Sequence, residues 1–346
     1  MLAAAPPETD LLIPRPEAGE HWDPHTIHTH YYAFCVPDAE IGLYSYIRYQ
    51  PEFPLSQAGV MIYRGLENRS LADSLFLDYQ ITLPWPEVDG NAFRTANGLT
   101  YDVVEPGRRA RMTFESVDGA ASFDVEAEAV TELVARGHVM PGEEQHTGEA
   151  SGGTEQFMRY TGRLVVDGEE FDVDSHYPRD RSWRQLRAED RTSPPGPPMA
   201  WTPVYFDESL AFNQIGFEHP DSHPAWAGEY EIPPGMPTHH WSWITRNGEL
   251  RELIDVRRTV TKSHPDTHAP LGMEITATDE SGEEYELSGE AIAHCMLPGW
   301  PNLSSYESLM RWETADGKVG YGPAQSVWNQ RMHHVLNRAA AGRAAV

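Results

Sequence analysis

The feature that most constrains this chain is a rhythm of short apolar runs about ten residues apart, parted by turn dipeptides and never by a helix-length pattern. Gly98–Val104, Arg109–Ser116 and Ala121–Val130 show it best, with Glu105-Pro106-Gly107 and Asp118-Gly119 between them. Such spacing predicts an antiparallel sandwich or barrel. A parallel α/β sheet is disfavoured, because nothing of helical period separates successive strands. His28–Val36, Ile41–Tyr49, Gly59–Tyr63 and Ser74–Leu83 continue the rhythm upstream. Gln156–Val166 and Glu170–Ser175 flank Asp167-Gly168, the dipeptide of a two-residue hairpin.

Residues 192–198, Thr-Ser-Pro-Pro-Gly-Pro-Pro, form the clearest linker. Beyond them the strand pattern resumes at Trp201–Phe206, Ser209–Glu218, His239–Arg246, Glu249–Val260, Met273–Thr278, Glu284–Ala293 and Met310–Thr314. Ala324–Arg338 is the one helix candidate, with Val327, Met332, Val335 and Leu336 as its apolar side. A chain of 346 residues fits two domains. The expected division is a loose tail at 1–20, a first barrel at 21–191, the linker, a second barrel with its terminal helix at 199–338, and a tail at 339–346. The Gly-, Glu- and Thr-rich stretch 137–154 reads as a polar loop. Closing a sheet on itself removes its edges, and eight strands leave room for one small ligand.

Charge narrows the partners. Twenty-six Lys and Arg against 53 Asp and Glu leave a net −27. A surface that acidic repels nucleic-acid phosphates and anionic membranes. Two distant cysteines, Cys35 and Cys295, make no disulfide framework and suit a reducing compartment. The N-terminus lacks the pattern of a signal peptide, and no apolar run reaches the roughly 20 residues of a membrane span. A cytoplasmic protein without membrane insertion is the expectation; a homodimer is compatible with it.

No Gly-rich phosphate loop, nucleophile elbow or HExxH is present. The expectation is therefore cofactor-independent chemistry, or binding alone. The densest cluster of reactive side chains is Asp174-Ser175-His176-Tyr177-Pro178-Arg179-Asp180-Arg181-Ser182-Trp183, between a hairpin and the linker. Two arginines beside Asp180 should keep it ionised, and His176 titrates near neutrality. The competing reading is a structural latch made by Arg179, Asp180 and Trp183. On a strand, His28, His30 and Tyr32 share one face. They offer hydrogen bonds or proton transfer, or, with a third ligand such as His240, a metal site. The latter is the less favoured reading.

The residues Asp167-Gly168-Glu169-Glu170-Phe171 followed by Arg179-Asp180-Arg181-Ser182-Trp183 resemble a signature of bacterial proteins. These are related to the hydroxyneurosporene synthase (carotenoid hydratase) and kievitone hydratase superfamily. Glu155-Gln156, Trp22-Asp23-Pro24 and Ala58-Gly59-Val60 resemble its other landmarks, so the likeness spans roughly residues 20–335. Arg184 stands where that family has glycine. The resemblance implies an all-β fold of two tandem lipocalin-like, calycin-type antiparallel barrels with a short C-terminal helix. It also implies hydration, dehydration, isomerisation or cyclisation of terpenoid, carotenoid or polyketide-like molecules.

Such chemistry needs a proton donor, an acceptor and walls that tolerate positive charge, which aromatic faces supply. Asp180, His176 and Glu155 are the catalytic candidates. Trp183, Tyr177, His30, Tyr32, Trp201, Tyr205 and His240 are the candidate pocket residues for a hydrophobic small molecule. The alternative is a non-catalytic carrier of the same kind of ligand.

Overall fold

A computed structural model describes residues 2–135, 152–186, 198–222, 224–232, 239–298 and 303–344. Antiparallel sheet dominates it, in two units. The first comprises Met1–Arg64 and Ser74–Asp190; the second comprises Gly65–Asp73 and Arg191–Val346. The chain thus passes between units three times, and the linker residues 192–197 lie outside those described.

The first unit contains β1 (Ala3–Ala4), β2 (Thr26–Val36), β3 (Ile41–Gln50), β4 (Leu55–Arg64) and β5 (Phe76–Pro84). It continues with β6 (Glu87–Asp89), β7 (Ala92–Arg94), β8 (Thr100–Glu105), β9 (Arg109–Glu115) and β10 (Ala121–Ala129). The short β11 (Val134–Ala135) and the long β12 (Gly152–Val166) and β13 (Glu169–Leu186) complete it. Hydrogen bonding orders them β5-β4-β3-β2-β13-β12-β10-β9-β8-β7-β6, with β11 also on β12 and β1 on β11. This sheet curls rather than closes. Tyr101 on β8 reaches across the interior and donates to Ser45 Oγ on β3 at 2.8 Å.

The hairpin between β12 and β13 sets the register of both strands. Asp167 and Gly168 have φ of 51° and 76°, the left-handed pair that a type I′ turn requires. Val166 therefore pairs with Glu169, and the ladder continues without slip to Gly152 opposite Trp183. Arg179–Trp183 is thus strand, not a segment beyond one. Residues 152–154 are likewise strand rather than loop, and 137–151 lie outside the described residues.

The second unit holds β14 (Met199–Asp207), β15 (Leu210–Phe217), β16 (His239–Arg246), β17 (Glu249–Ser263), β18 (Pro270–Asp279), β19 (Glu284–Met296), β20 (Leu303–Thr314) and β21 (Val319–Asn329). These eight close into a barrel. Every strand sends apolar side chains into one cluster, among them Val204, Phe212, Ile244, Leu253, Met273, Leu287, Trp312 and Ala324. This cluster fills that part of the barrel, and next to it the buried Arg258 of β17 pairs with Glu218 at 3.1 Å.

The helix α1 runs Gln330–Ala344. It begins later and ends later than the sequence pattern suggests. Ala324–Asn329 pair with Leu303–Ser308 on β20 and are strand. Met332, Val335 and Leu336 of α1 pack with Trp226, Tyr306 and Trp328. The nine residues Gly65–Asp73 belong here too. Leu66 packs on the barrel core, and Asn68 Nδ2 donates to the His294 carbonyl at 2.7 Å.

Candidate functional site

Strand alternation divides the side chains of β13 into two sets. Arg179 pairs with Gln156 and Tyr32, and Arg181 with Thr154 and His30. These residues share the inner face with Tyr177, and all are buried. Asp180 pairs instead with Glu155 and Tyr31, and His176 with Arg159, on the other face. Sequence neighbours in a strand do not face one another, so the two arginines do not clamp Asp180. Of the ten predicted residues, the inner face gathers Tyr177, Trp183, His30 and Tyr32.

Arg179 meets a residue from the expected tail. Residues Pro7–Leu11 form a 3₁₀ turn, and Asp10 is only 2% exposed. The composition of 1–20 suggests a loose tail, but a buried arginine needs a counter-charge and Asp10 provides it. Its carboxylate accepts from Arg179 Nη1 at 2.8 Å and Nη2 at 2.9 Å, and from the Gly107 backbone N–H at 2.5 Å. Burial alone would raise the Asp10 pKa, but Arg179 outweighs it and holds the carboxyl below its usual range. Gln156 Oε1 accepts from Arg179 Nε at 2.9 Å, and the Tyr32 hydroxyl lies 3.2 Å from Nη1.

Arg181 is served differently. It is 1% exposed, and its Nη1 donates to the carbonyls of Thr9 (2.7 Å) and Asp10. Its Nε and Nη2 find no hydrogen-bond partner among the described residues, nor does the hydroxyl of Thr154 across the ladder. Burial pushes the Arg181 pKa down to about 10, which leaves it charged at neutral pH.

Beside Arg181 lies a hydrogen-bonded pair. His30 Nδ1 is 2.9 Å from the Tyr49 hydroxyl, and His30 Nε2 is 3.4 Å from the Asp10 carbonyl. A carbonyl only accepts, so Nε2 carries the proton and Nδ1 accepts from Tyr49. Burial, then Arg181, drives the His30 pKa well below its usual value. Burial raises that of Tyr49. Both are neutral near pH 7. Phe93 and Tyr101 complete the wall, their ring centroids 5.0 Å and 6.2 Å from that of His30.

His28 has its ring nitrogens committed elsewhere. Nε2 is 2.8 Å from the Pro14 carbonyl, and Nδ1 accepts from the Arg184 backbone N–H at 2.8 Å. The metal reading fails on this geometry. Among the described residues no three His, Cys, Asp or Glu side chains come close enough to hold an ion.

Trp183 stands at the far end of the inner face. It lies over Gly152; a Cβ there would stand 2.3 Å from the indole, so only glycine fits. The Arg181 guanidinium carbon is 5.8 Å from the Trp183 ring. Arg184 has φ of 50° at the register shift between Ser182 and Gln185 in the pairing of β13 with β2. That left-handed conformation is the one glycine takes freely. Trp201 and Tyr205 belong to the second unit, on the face of β14 opposite Val204; Trp201 Nε1 donates to Asn213 at 3.0 Å. The His240 side chain lies outside the described residues. A 270 Å³ cavity lined by Glu105, Arg108, Arg109, Glu128 and Ala129 is bordered almost wholly by charged groups and does not suit an apolar guest.

Sequence reasoning missed Asp10, Tyr49 and Arg181. Tyr49 carried a signal, since Leu43, Ser45, Ile47 and Tyr49 share one face of β3. Arg181 was read only as a neighbour of Asp180. Nothing local marks Asp10.

The fold is that of a class of all-β proteins built from a curled sheet and a closed barrel. Kievitone hydratase from Nectria haematococca shares it, at 15% identity over 88% of each chain and a TM-score of 0.50. Looser likenesses are an AttH-like protein from Nitrosomonas europaea (12% identity, 91% of this chain and 99% of that one, TM-score 0.49) and CghA (9%, 95% and 97%, 0.45). A comparison with curated proteins finds no match. Within this class the chain belongs to the family described as Domain of unknown function (DUF7064), whose model matches residues 16–330. No described helix is long and apolar enough to cross a membrane.

Proposed function

We propose that the first unit is a cofactor-independent hydratase, dehydratase or isomerase acting by proton transfer on an apolar small molecule. The observation that carries this reading is the buried His30–Tyr49 pair beside an incompletely paired Arg181. A carrier of apolar ligands needs no such groups, and burying charge is costly enough that apolar replacement is often neutral or stabilising. The solved relative from Nectria haematococca is a hydratase by name, which supports the reading.

Tyr49 and His30 act as a proton relay. The Tyr49 hydroxyl proton is held on His30 Nδ1, so the phenol oxygen takes a proton from water or substrate as its own passes to Nδ1. In hydration the water that loses this proton adds to one carbon of a double bond conjugated to a carbonyl or an arene, and the relay returns the proton to the neighbouring carbon. Dehydration reverses these steps. Asp180, Glu155 and His176 face away from this pair and take no part in the proposed step.

The test is incubation with a terpenoid and aromatic extract in H₂¹⁸O. Products labelled by one added water are expected. Tyr49→Phe, shown folded by near-UV circular dichroism, should lower their rate by roughly 10²–10⁴-fold. Equal turnover in Tyr49→Phe and His30→Gln would overturn the assignment, as would absence of label or of isomerised product with the unmodified protein.

A further inference from the structure

The Arg181 side chain points to a property of the ligand that proton transfer does not require. A guanidinium presents Nε–H and one Nη–H side by side along one edge, the fork that binds a carboxylate through two parallel hydrogen bonds. In Arg179 that edge is taken, since Nε and Nη2 both donate to Gln156 Oε1, at 2.9 Å and 2.6 Å. In Arg181 the same edge, Nε and Nη2, has no partner among the described residues, although the residue is 1% exposed. Only Nη1 is committed, to backbone carbonyls. The strand register puts Thr154 opposite Arg181, and its Oγ1 is also buried without a partner there. A buried donor left unpaired costs about 1–3 kcal/mol, and more when charged.

We infer that the Nε/Nη2 edge of Arg181, with the Thr154 hydroxyl beside it, is a receptor for a carboxylate carried on an apolar body. Two further points fix the class. The charge balance of the cluster is two guanidiniums against one carboxylate, Asp10, so one negative charge completes it. The surrounding wall is aromatic, from Tyr32, Phe93 and Tyr101, which suits the apolar remainder of a carboxylic acid. The inference deepens the proton-transfer reading by giving its substrate an acid group, but binding to Arg181 does not depend on turnover.

Hexanoate, hexanamide and acetate serve as probes, with binding read by isothermal titration and by the shift of the unfolding midpoint. Hexanoate should bind saturably, at one site per chain, and shift the midpoint upward. Acetate should bind more weakly and hexanamide not at all. Arg181→Met should weaken hexanoate by roughly 10- to 100-fold, the worth of a charge-assisted pair of hydrogen bonds. Should that variant fail to fold, Thr154→Val, which removes only the hydroxyl, should weaken hexanoate several-fold while leaving far-UV circular dichroism unchanged. Tyr49→Phe keeps the fork and should bind hexanoate as the parent does, whatever becomes of turnover. Equal affinity for hexanoate and hexanamide would overturn the proposal. So would no saturable binding, or hexanoate affinity unaltered in both Arg181→Met and Thr154→Val.

Discussion

Phe212, Ile244, Met273, Met310 and Trp312 form one apolar cluster in the second unit, beside the buried ion pair Arg258–Glu218, whereas Asp10, Arg179, Arg181, His28 and His30 crowd the interior of the first. Both interiors are lined by antiparallel strands, and the alternation that selects inward residues is the same. The contents differ. Apolar filling stabilises by removing surface from water and asks for nothing in return. A charged interior must be desolvated, paired and hydrogen-bonded before it contributes at all. The buried Arg258 of the second unit has its counter-charge in Glu218, to which Trp226 and Trp328 also donate, whereas Arg181 keeps an edge without a partner among the described residues. On that difference the proposed chemistry is placed in the first unit and the second barrel is read as scaffold.

Three measurements can break or sharpen that contrast. The largest effect is expected from Trp312→Ala in the apolar cluster of the second unit, a loss of about 3–5 kcal/mol in urea unfolding. The folded fraction should keep full turnover. Lower turnover at constant folded fraction would end the scaffold reading.

In the first unit, Asp10→Ala should cost nearly as much, about 3 kcal/mol or more, because it strands Arg179 in the interior. The double replacement Asp10→Leu with Arg179→Met should recover most of that loss in the same urea assay. A double variant as unstable as the single one would mean that the pair is held for packing, not charge.

The smallest effect is in pH. Burial lowers the His28 pKa from 6.5 to about 4, and it also lowers that of His30. The unfolded chain therefore binds more protons between these values, and stability falls as the pH drops from 6.5 toward 4. About 1–3 kcal/mol is expected from His28 over this window, and His30 acts in the same direction. Below it, protonation of Asp10, whose folded pKa is lowered, removes the contribution of its ion pair with Arg179. Burial also lowers His294, in the second unit, to about 4. His28→Asn and His294→Asn should each flatten part of the profile, and stability curves of the two variants assign the parts. A parent curve flat from pH 7 to 4 would contradict the buried, neutral state of these rings.

The sequence made the fold legible because turn chemistry and alternation are local. Asp167-Gly168 and Asn247-Gly248 forecast hairpins, and both dipeptides take left-handed φ. The helix boundary was not legible. Val327 and Trp328 suit either period, and pairing with β20 decides for strand. The site was half-legible. His28, His30 and Tyr32 fall on one face by parity alone. The same parity separates Arg179 and Arg181 from Asp180, so a run of adjacent residues that looks like one constellation serves two faces. The Asp10–Arg179 pair spans 169 positions, and no local rule reaches that far.

The segment Gly65–Asp73 has a consequence for the order in which the molecule is made. Asn68 and the carbonyl it binds, that of His294, are 226 positions apart. At about 5–20 residues per second, Asn68 leaves the ribosome roughly 10–45 s before its acceptor exists. During that interval the strands on either side, β4 and β5, can already pair, leaving the nine residues between them as a waiting loop. The second barrel thus finishes on a part issued with the first, and no cut at the proline-rich linker can separate the halves without dividing it.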